Sequence, residues 1–272
     1  MLLAQLKVGV LGWGSDHSQK RDPRQYKLPM KSSSIYRPVS NLTLTMSEHK
    51  TREFYDNWIG RSGIFSLLGR LIFRMSGSVY ARIFMEQSRL TASDRVLELG
   101  CGLGTILSVS RQQTQSQEFY LGMDLSFEML CRAKTLLHRS VFPNRIQYLL
   151  GSAILLPLAD CSFNVVLLSH MVKYLTDVQF GQVMSEARRI LKKGGRIVVW
   201  EFGPFLSSRV SQFIARKVGG QKLRSATEIR QILKNAGFGD LIQFHIVTPW
   251  VPWRNVALSG RANGNPRSTG RT

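Results

Sequence analysis

Apolar residues in this chain come in short blocks separated by turn-forming residues. That is the pattern of alternating strands and helices. Val96-Leu97-Glu98-Leu99 is apolar but for one acid and too short for a helix. It reads as a strand buried on both faces, as in a parallel sheet. Phe119 to Asp124, Val165 to His170 and Ile197 to Glu201 repeat the form. A helix is expected from near Thr105, another from Asp124, and a third ending at Gly194-Gly195, where positive φ closes a helix. Phe205 to Val218 reads as a further helix. Ser225-Ala226-Thr227-Glu228 is a capping box for one that ends at Gly237. Two last strands are placed near Leu241–Val247 and Trp253–Leu258. Trp250 and Trp253 sit at the turn between them, either lining a pocket or packing. Thr51 to Arg89 reads as helical with breaks at Gly60 and Gly63.

The chemistry concentrates after the first of these strands. Gly100, Gly102 and Gly104 alternate with Cys101 and Leu103. Such a loop lets the backbone turn sharply and approach a ligand, and the N–H groups of the next helix point at the same spot. A nicotinamide or flavin site uses Gly-x-Gly-x-x-Gly against a pyrophosphate. Here the spacing is one residue short, and Glu98 would repel a pyrophosphate while attracting a cationic amino-acid group. Asp124 ends the next strand. An acid at that strand tip accepts hydrogen bonds from ribose hydroxyls, or it favours a helix start.

Val96 to Gly104 resembles the first motif of the class I S-adenosylmethionine-dependent methyltransferases, hydrophobic-Asp/Glu-x-Gly-x-Gly-x-Gly. Asp124-Leu125-Ser126 with Met129 is similar to that family's next helix start. Gly151-Ser152-Ala153 through Leu156-Pro157 to Phe163-Asn164 looks like its segment beside the adenine. Leu191-Lys192-Lys193-Gly194-Gly195 looks like its turn into the fifth strand. Phe54-Tyr55-Asp56 is similar to a Tyr-Asp pair of ubiquinone/menaquinone-type members, whose tyrosine helps close over the cofactor.

The resemblance implies a doubly wound, seven-stranded, mostly parallel α/β sheet, Rossmann-like, with N-terminal cap helices. It implies S-adenosyl-L-methionine as cofactor. Glu98, Gly100, Cys101, Gly102 and Gly104 would hold its aminoacyl end, Asp124, Leu125 and Met129 the ribose side, and Ser152 and Ala153 the adenine. Ser169 and Tyr55 complete the set. Ser152 and Asn164 each replace a usual acid, and Lys193 a usual proline. A hydroxyl accepts a hydrogen bond more weakly than a carboxylate, so weakened cofactor binding is expected. These departures also motivate the alternative of a cofactor-binding regulatory or assembly protein without transferase activity.

Methyl transfer from a sulfonium needs mainly alignment of the reacting atoms. A base matters only when the nucleophile must lose a proton. His170, at a strand tip with an ordinary pKa near neutrality, is the candidate base. Tyr174, four residues on and on the same helical face, and Glu201, at the tip of the following strand, are the others. A positioning role competes for each. Ser169-His170-Met171-Val172 stands where enzymes that methylate amino groups of DNA bases carry Asn/Asp-Pro-Pro-aromatic. That argues against nucleic acid as substrate; together with the resemblance it implies a small, lipophilic acceptor.

With 272 residues the chain has enough length for one domain with extensions. The expected division is a disordered extension over 1–45, a helical cap over 46–90, the cofactor-binding domain over 91–259 and a disordered tail over 260–272. The net charge of +20 is spread along the chain without a dense basic run. It suits peripheral contact with an anionic membrane or simply a basic solvated surface. Three scattered cysteines make no disulfide framework and no Cys/His spacing suggests a metal site. The reading is a reducing, cytoplasmic setting, with organelle targeting by the N-terminal tail as the rival. No apolar run is long enough to span a bilayer. The oligomeric state is not encoded in any pattern.

Overall fold

Alternate residues of a strand point to opposite faces, so a run without polar interruption must be covered on both. A computed structural model shows that arrangement; it describes residues 5–6, 9–10, 42–60, 81–86, 88–116, 118–137, 146–204, 208–217, 220–244, 246 and 255–263. In chain order the elements are β1 (Gln5–Leu6), β2 (Gly9–Val10), β3 (Leu42–Thr43), α1 (Met46–Gly60) and α2 (81–86). There follow β4 (Val96–Leu99), α3 (Thr105–Thr114), β5 (Tyr120–Asp124), α4 (Phe127–Leu137), β6 (Ile146–Leu150) and β7 (Phe163–Ser169). A 3₁₀ turn, Val172–Tyr174, leads to α5 (Asp177–Ile190) and β8 (Leu191–Phe202). The chain continues through α6 (Ser208–Lys217), α7 (Ala226–Asn235), β9 (Phe238–Phe244) and β10 (Asn255–Ala262).

The main sheet runs β2-β6-β5-β4-β7-β8-β10-β9. From β6 to β8 all pairings are parallel, and β10 and β9 close the far edge antiparallel. This is the expected seven-stranded doubly wound sheet, with the two-residue β2 added antiparallel to β6. Leu97, Leu99, Leu121, Met123, Val166 and Leu168 face α5 and α7. Val96, Tyr120, Val165, Leu167 and Val198 face α2, α3 and α4. The strand order reverses between β4 and β7, where open α/β sheets leave their ligand crevice at the carboxyl ends.

Several elements differ from the sequence reading: β1, β2 and β3 are ordered strands within the extension expected to be disordered, β2 joining the main sheet, and β9 starts at Phe238 rather than Leu241. Helix α1 begins at Met46 rather than Thr51. Thr45 and Glu48 form a capping box there, with Thr45 N–H donating to Glu48 Oε2 (2.9 Å) and Glu48 N–H to Thr45 Oγ1 (3.3 Å). The double glycine does not end α5. That helix stops at Ile190, Leu191 is extended and pairs with Phe163, and Gly194 (φ 75°) turns the chain before Arg196 pairs with Val165. A Cβ on Gly195 would lie 3.0 Å from Asn164 O, which explains a glycine at this close approach. Finally, β10 runs through Ala262, past the expected start of the tail, because Ser259 pairs with both Val198 and Ile242. Gly237, at φ 84°, follows the end of α7 as expected. The readings on Gly63, Trp250 and Trp253 lie outside the described residues. Among the described residues no helix is long and apolar enough to cross a membrane.

Candidate functional site

The crevice is built from two halves that meet at Met171. The first is the glycine loop. Gly100, Gly102 and Gly104 all sit at positive φ (69°, 51° and 70°), a region that penalises any side chain. The N–H groups of Gly100 and Cys101 donate to Met123 O at 2.8 and 3.0 Å, tying the loop to β5. A Cβ on Gly100 would approach Met171 Cβ to 2.8 Å, and one on Gly104 would reach the Tyr148 hydroxyl at 2.5 Å. A Cβ on Gly102 meets nothing within 4 Å, so this is the glycine that faces open space. Cys101 points the other way, buried against Gly122, and burial pushes its thiol well above the ordinary range.

Glu98 lies on the β4 face that carries α3. Gly104, the residue before α3, has no side chain to cap it. Glu98 supplies that acceptor instead, taking the Leu107 N–H, one of the helix's orphan donors. Its Oε2 is buried and has no hydrogen-bond partner among the described residues. Burial holds the carboxyl well above its ordinary pKa, against the pull of that N–H.

Asp124 ends β5 and braces the loop. Its Oδ2 accepts from Gly102 N–H (2.8 Å) and its Oδ1 from Ser126 N–H (2.9 Å). Burial raises its pKa, and the two N–H groups oppose the shift. Leu125 is half-buried. Met129 is buried with Leu103, and Tyr55 packs on that pair.

Helix α1 straps the crevice at three points. Ser152, buried after β6, donates to Glu48 Oε1 from the first turn of α1. A carboxylate from a different element thus stands beside position 152. Ser126 Oγ donates to Asp56 Oδ1 (2.5 Å). Tyr55 shares a short hydrogen bond with the Tyr174 hydroxyl, their rings edge-on at 5.5 Å. Ala153, beside Ser152, is half-buried. Asn164 proves structural: its Oδ1 accepts from Arg95 N–H (3.1 Å) and Lys192 Nζ (3.2 Å).

The second half is the tip of β7. Ser169, half-buried, pairs with Trp200. His170 then turns to φ 55°, its N–H donating to Trp200 O at 2.8 Å. Its ring lies against Trp200 and stacks on Phe202, with both centroids 4.2 Å away. Nδ1 is 3.5 Å from Glu201 Oε1, an ion-pair distance rather than a close hydrogen bond. Burial lowers the imidazole's pKa; the Glu201 carboxylate opposes that shift and the Lys173 cation adds to it. Glu201 itself has no exposed surface. It accepts from Lys173 N–H (2.9 Å) and Phe202 N–H (2.8 Å) and lies 3.3 Å from Lys173 Nζ. Burial alone would raise its pKa, but Lys173 and His170 hold it down at about 2.

The structure thus brings the predicted residues to one end of the sheet. Two details differ from expectation. No regular helix joins His170 to Tyr174, so they do not share a helical face: Tyr174 sits on the 3₁₀ turn and meets Tyr55. Glu201 lies beneath His170 rather than open to the crevice. Sequence reasoning missed Glu48 and Lys173 and gave Asp56 no role beyond its place in the Tyr-Asp pair. Thr45-x-x-Glu48 was a legible capping box; Lys173 gave no signal, because its partner is 28 residues away.

Comparison with known proteins agrees with this fold. A methyltransferase-domain family model matches residues 97–199. The chain is 26% identical over 225 residues to the ubiquinone/menaquinone biosynthesis C-methyltransferase UbiE of Geotalea uraniireducens, covering 75% of this chain and 94% of that protein. It is 30% identical to the chloroplastic 2-phytyl-1,4-beta-naphthoquinone methyltransferase of Arabidopsis thaliana, covering 46% of this chain and 48% of that one. Among solved structures, geranyl diphosphate C-methyltransferase from Streptomyces coelicolor, bound to S-adenosyl-L-homocysteine, superposes with a TM-score of 0.61 at 13% identity. That match covers 80% of this chain and 98% of the other.

Proposed function

We propose that this chain, a member of the S-adenosylmethionine-dependent methyltransferases, methylates a ring carbon of a small, lipophilic aromatic acceptor of the hydroquinone class. The carrying observation is the imidazole of His170. It is held at a strand tip between Trp200 and Phe202, beside an ionised Glu201, and its neighbour Met171 touches the glycine loop. The quinone C-methyltransferases among the relatives supply the acceptor class.

The residues present fit the cofactor. Gly102 offers a backbone face that a Cβ would obstruct, and Glu98 holds a buried carboxylate oxygen that lacks a partner. Glu98 takes the ammonium end, Asp124 keeps free lone pairs for ribose hydroxyls, and Ser152 with Glu48 stands at the adenine. Bound S-adenosylmethionine supplies an electrophilic methyl group on a sulfonium that leaves as a neutral thioether.

His170, its pKa lowered, is neutral near pH 7. With Nδ1 turned to Glu201, Nε2 accepts the proton that the acceptor gives up as the new carbon–carbon bond forms. Phe202 offers an apolar face, and Tyr55 of α1 and Tyr174 of the 3₁₀ turn close the opening. Ser152 and Asn164 do not favour the inactive alternative, because Glu48 supplies a carboxylate at the first and the Asn164 amide already makes its bonds at the second.

The test is turnover with short-chain prenyl hydroquinones, reading S-adenosylhomocysteine and a ring-methylated product by mass spectrometry. His170→Ala should lower kcat by roughly 10²–10⁴-fold without changing affinity for S-adenosylhomocysteine. Turnover of amines but of no aromatic hydroxyl compound, or an unaffected His170→Ala variant, overturns the reading.

A further inference from the structure

Four observations converge on one buried cation. His170 is a non-glycine residue in the left-handed region, a conformation that persists only where the surroundings impose it. Its N–H is taken by Trp200 O, and its carbonyl accepts a short hydrogen bond from Lys173 Nζ. The same Nζ lies 3.3 Å from Glu201 Oε1, and the same Oε1 faces His170 Nδ1 at 3.5 Å. The Lys173 stem is buried beneath the Tyr174 and Phe202 rings, with Nζ 4.7 and 5.5 Å from their centroids.

We propose that Lys173 is a positioning residue that, through Glu201 and the His170 carbonyl, locks His170 in its left-handed backbone state with Nδ1 toward Glu201 and Nε2 presented to the acceptor. This rests on His170 being the proton acceptor of the reaction.

The lock works through two anchors that a single atom joins. Glu201 receives the backbone N–H of Lys173 as well as its ammonium, so the turn after β7 and the strand tip of β8 are tied together. The carbonyl bond to Nζ then fixes the peptide that sets the His170 ring. Nδ1 is buried with no close hydrogen-bond partner among the described residues, and the Glu201 carboxylate 3.5 Å away is the charge that favours the tautomer with its proton there, which leaves Nε2 with a lone pair. The charged groups acting on the imidazole are Glu201 on β8 and Lys173 on the turn, with the Tyr174 and Tyr55 hydroxyls completing the titratable set nearby. Lys173 is thus distinct in role from His170: it never faces the acceptor.

Lys173→Met alone strands a buried carboxylate and risks unfolding, so the decisive protein is the double variant Lys173→Met/Glu201→Gln, which removes both charges together. It should fold, bind S-adenosylhomocysteine with unchanged affinity, and lose kcat on the order of 10–100-fold with little change in KM. Nitrogen-15 spectra of the His170 ring provide the readout that a structural role alone does not move. Wild type should show the proton on Nδ1, and the double variant a mixture of tautomers. Lys173→Arg, which keeps the charge, should restore most of the tautomer preference. A single tautomer and wild-type kcat in the double variant overturn the lock. If His170→Ala is itself without effect on kcat, it is the role of His170 that fails, and the spectra still report separately on whether the lock exists.

Discussion

Glu98 and Glu201 are both glutamates of inner strands and both are closed off from solvent, yet their carboxyls shift in opposite directions. Glu98 is held well above its ordinary pKa and Glu201 down at about 2. Burial pushes both upward. The difference is a cation. Glu201 has Lys173 within 3.3 Å and two backbone N–H groups besides, whereas Glu98 has one N–H and an oxygen with no partner. A buried carboxylate with its own cation is a fixture of the fold. One without it is costly until a ligand brings the charge, and here the proposed ligand ends in an ammonium group. The two halves of the crevice divide along this line: the half at the tips of β7 and β8 is internally neutralised, and the glycine-loop half holds a carboxyl oxygen without a partner.

The contrast breaks first on stability. Glu201→Gln leaves the Lys173 ammonium buried without its counter-ion and should cost about 3–5 kcal/mol, read by denaturant unfolding. Glu98→Gln removes an uncompensated group and should cost less than about 1 kcal/mol. Acid titration separates them again. A depressed folded pKa means that the stabilising contribution of Glu201 is present above its ordinary value of 4.5 and is lost as pH falls from there through about 2. Equal losses from the two substitutions would erase the distinction.

The second break is in ligand binding. Gly102→Val puts a branched side chain into the one open position of the glycine loop, at φ 51°. Affinity for S-adenosylhomocysteine should fall more than about 100-fold, because the Cβ occupies the approach to the backbone, while the strain costs about 1–2 kcal/mol of stability. Calorimetry checks the first and thermal melting the second. Unchanged affinity would place the cofactor elsewhere.

The glycine-loop half was the legible one. Its glycines, Glu98 and Asp124 act through backbone geometry and strand-tip position, which local spacing encodes. The sheet was legible for the same reason, since uninterrupted apolar runs admit only two covered faces. What escaped was whatever depends on residues meeting across the fold. Lys173 carried no signal in the sequence, and only its approach to Glu201 makes it a buried anchor. Ser152 read as a weakened acceptor beside the adenine, and its contact with Glu48 of α1 was not legible. The double glycine misled because a turn inside β8 and a helix end ask for the same residue.

That contact at Ser152 sets a smaller test of the same contrast. Ser152→Asp restores the acid at the usual position, but it then faces the Glu48 carboxylate that Ser152 contacts. The variant should lose about 1–2 kcal/mol of stability and bind S-adenosylhomocysteine more weakly. Adding Glu48→Gln, which leaves one carboxylate at the spot, should recover both. Failure of the second change to rescue the first would mean that Ser152 and Glu48 are not sharing one role.

The smallest effect is the most direct probe of the unpaired glutamate. A carboxyl with a raised folded pKa still holds its proton at a pH where the unfolded chain has released it. Its contribution to stability is therefore complete below its ordinary value of 4.5 and fades as pH rises through the raised one. An ammonium placed at Oε2 favours the ionised form, so cofactor binding should expel that proton. Calorimetric enthalpies measured in buffers of different ionisation heat should reveal release of up to one proton per site, and affinity should climb with pH until Glu98 is ionised in the free protein. Glu98→Gln should abolish the release. The comparison fails if wild type and variant exchange no protons on binding, for then Glu98 is an ordinary helix cap and not a vacancy for charge.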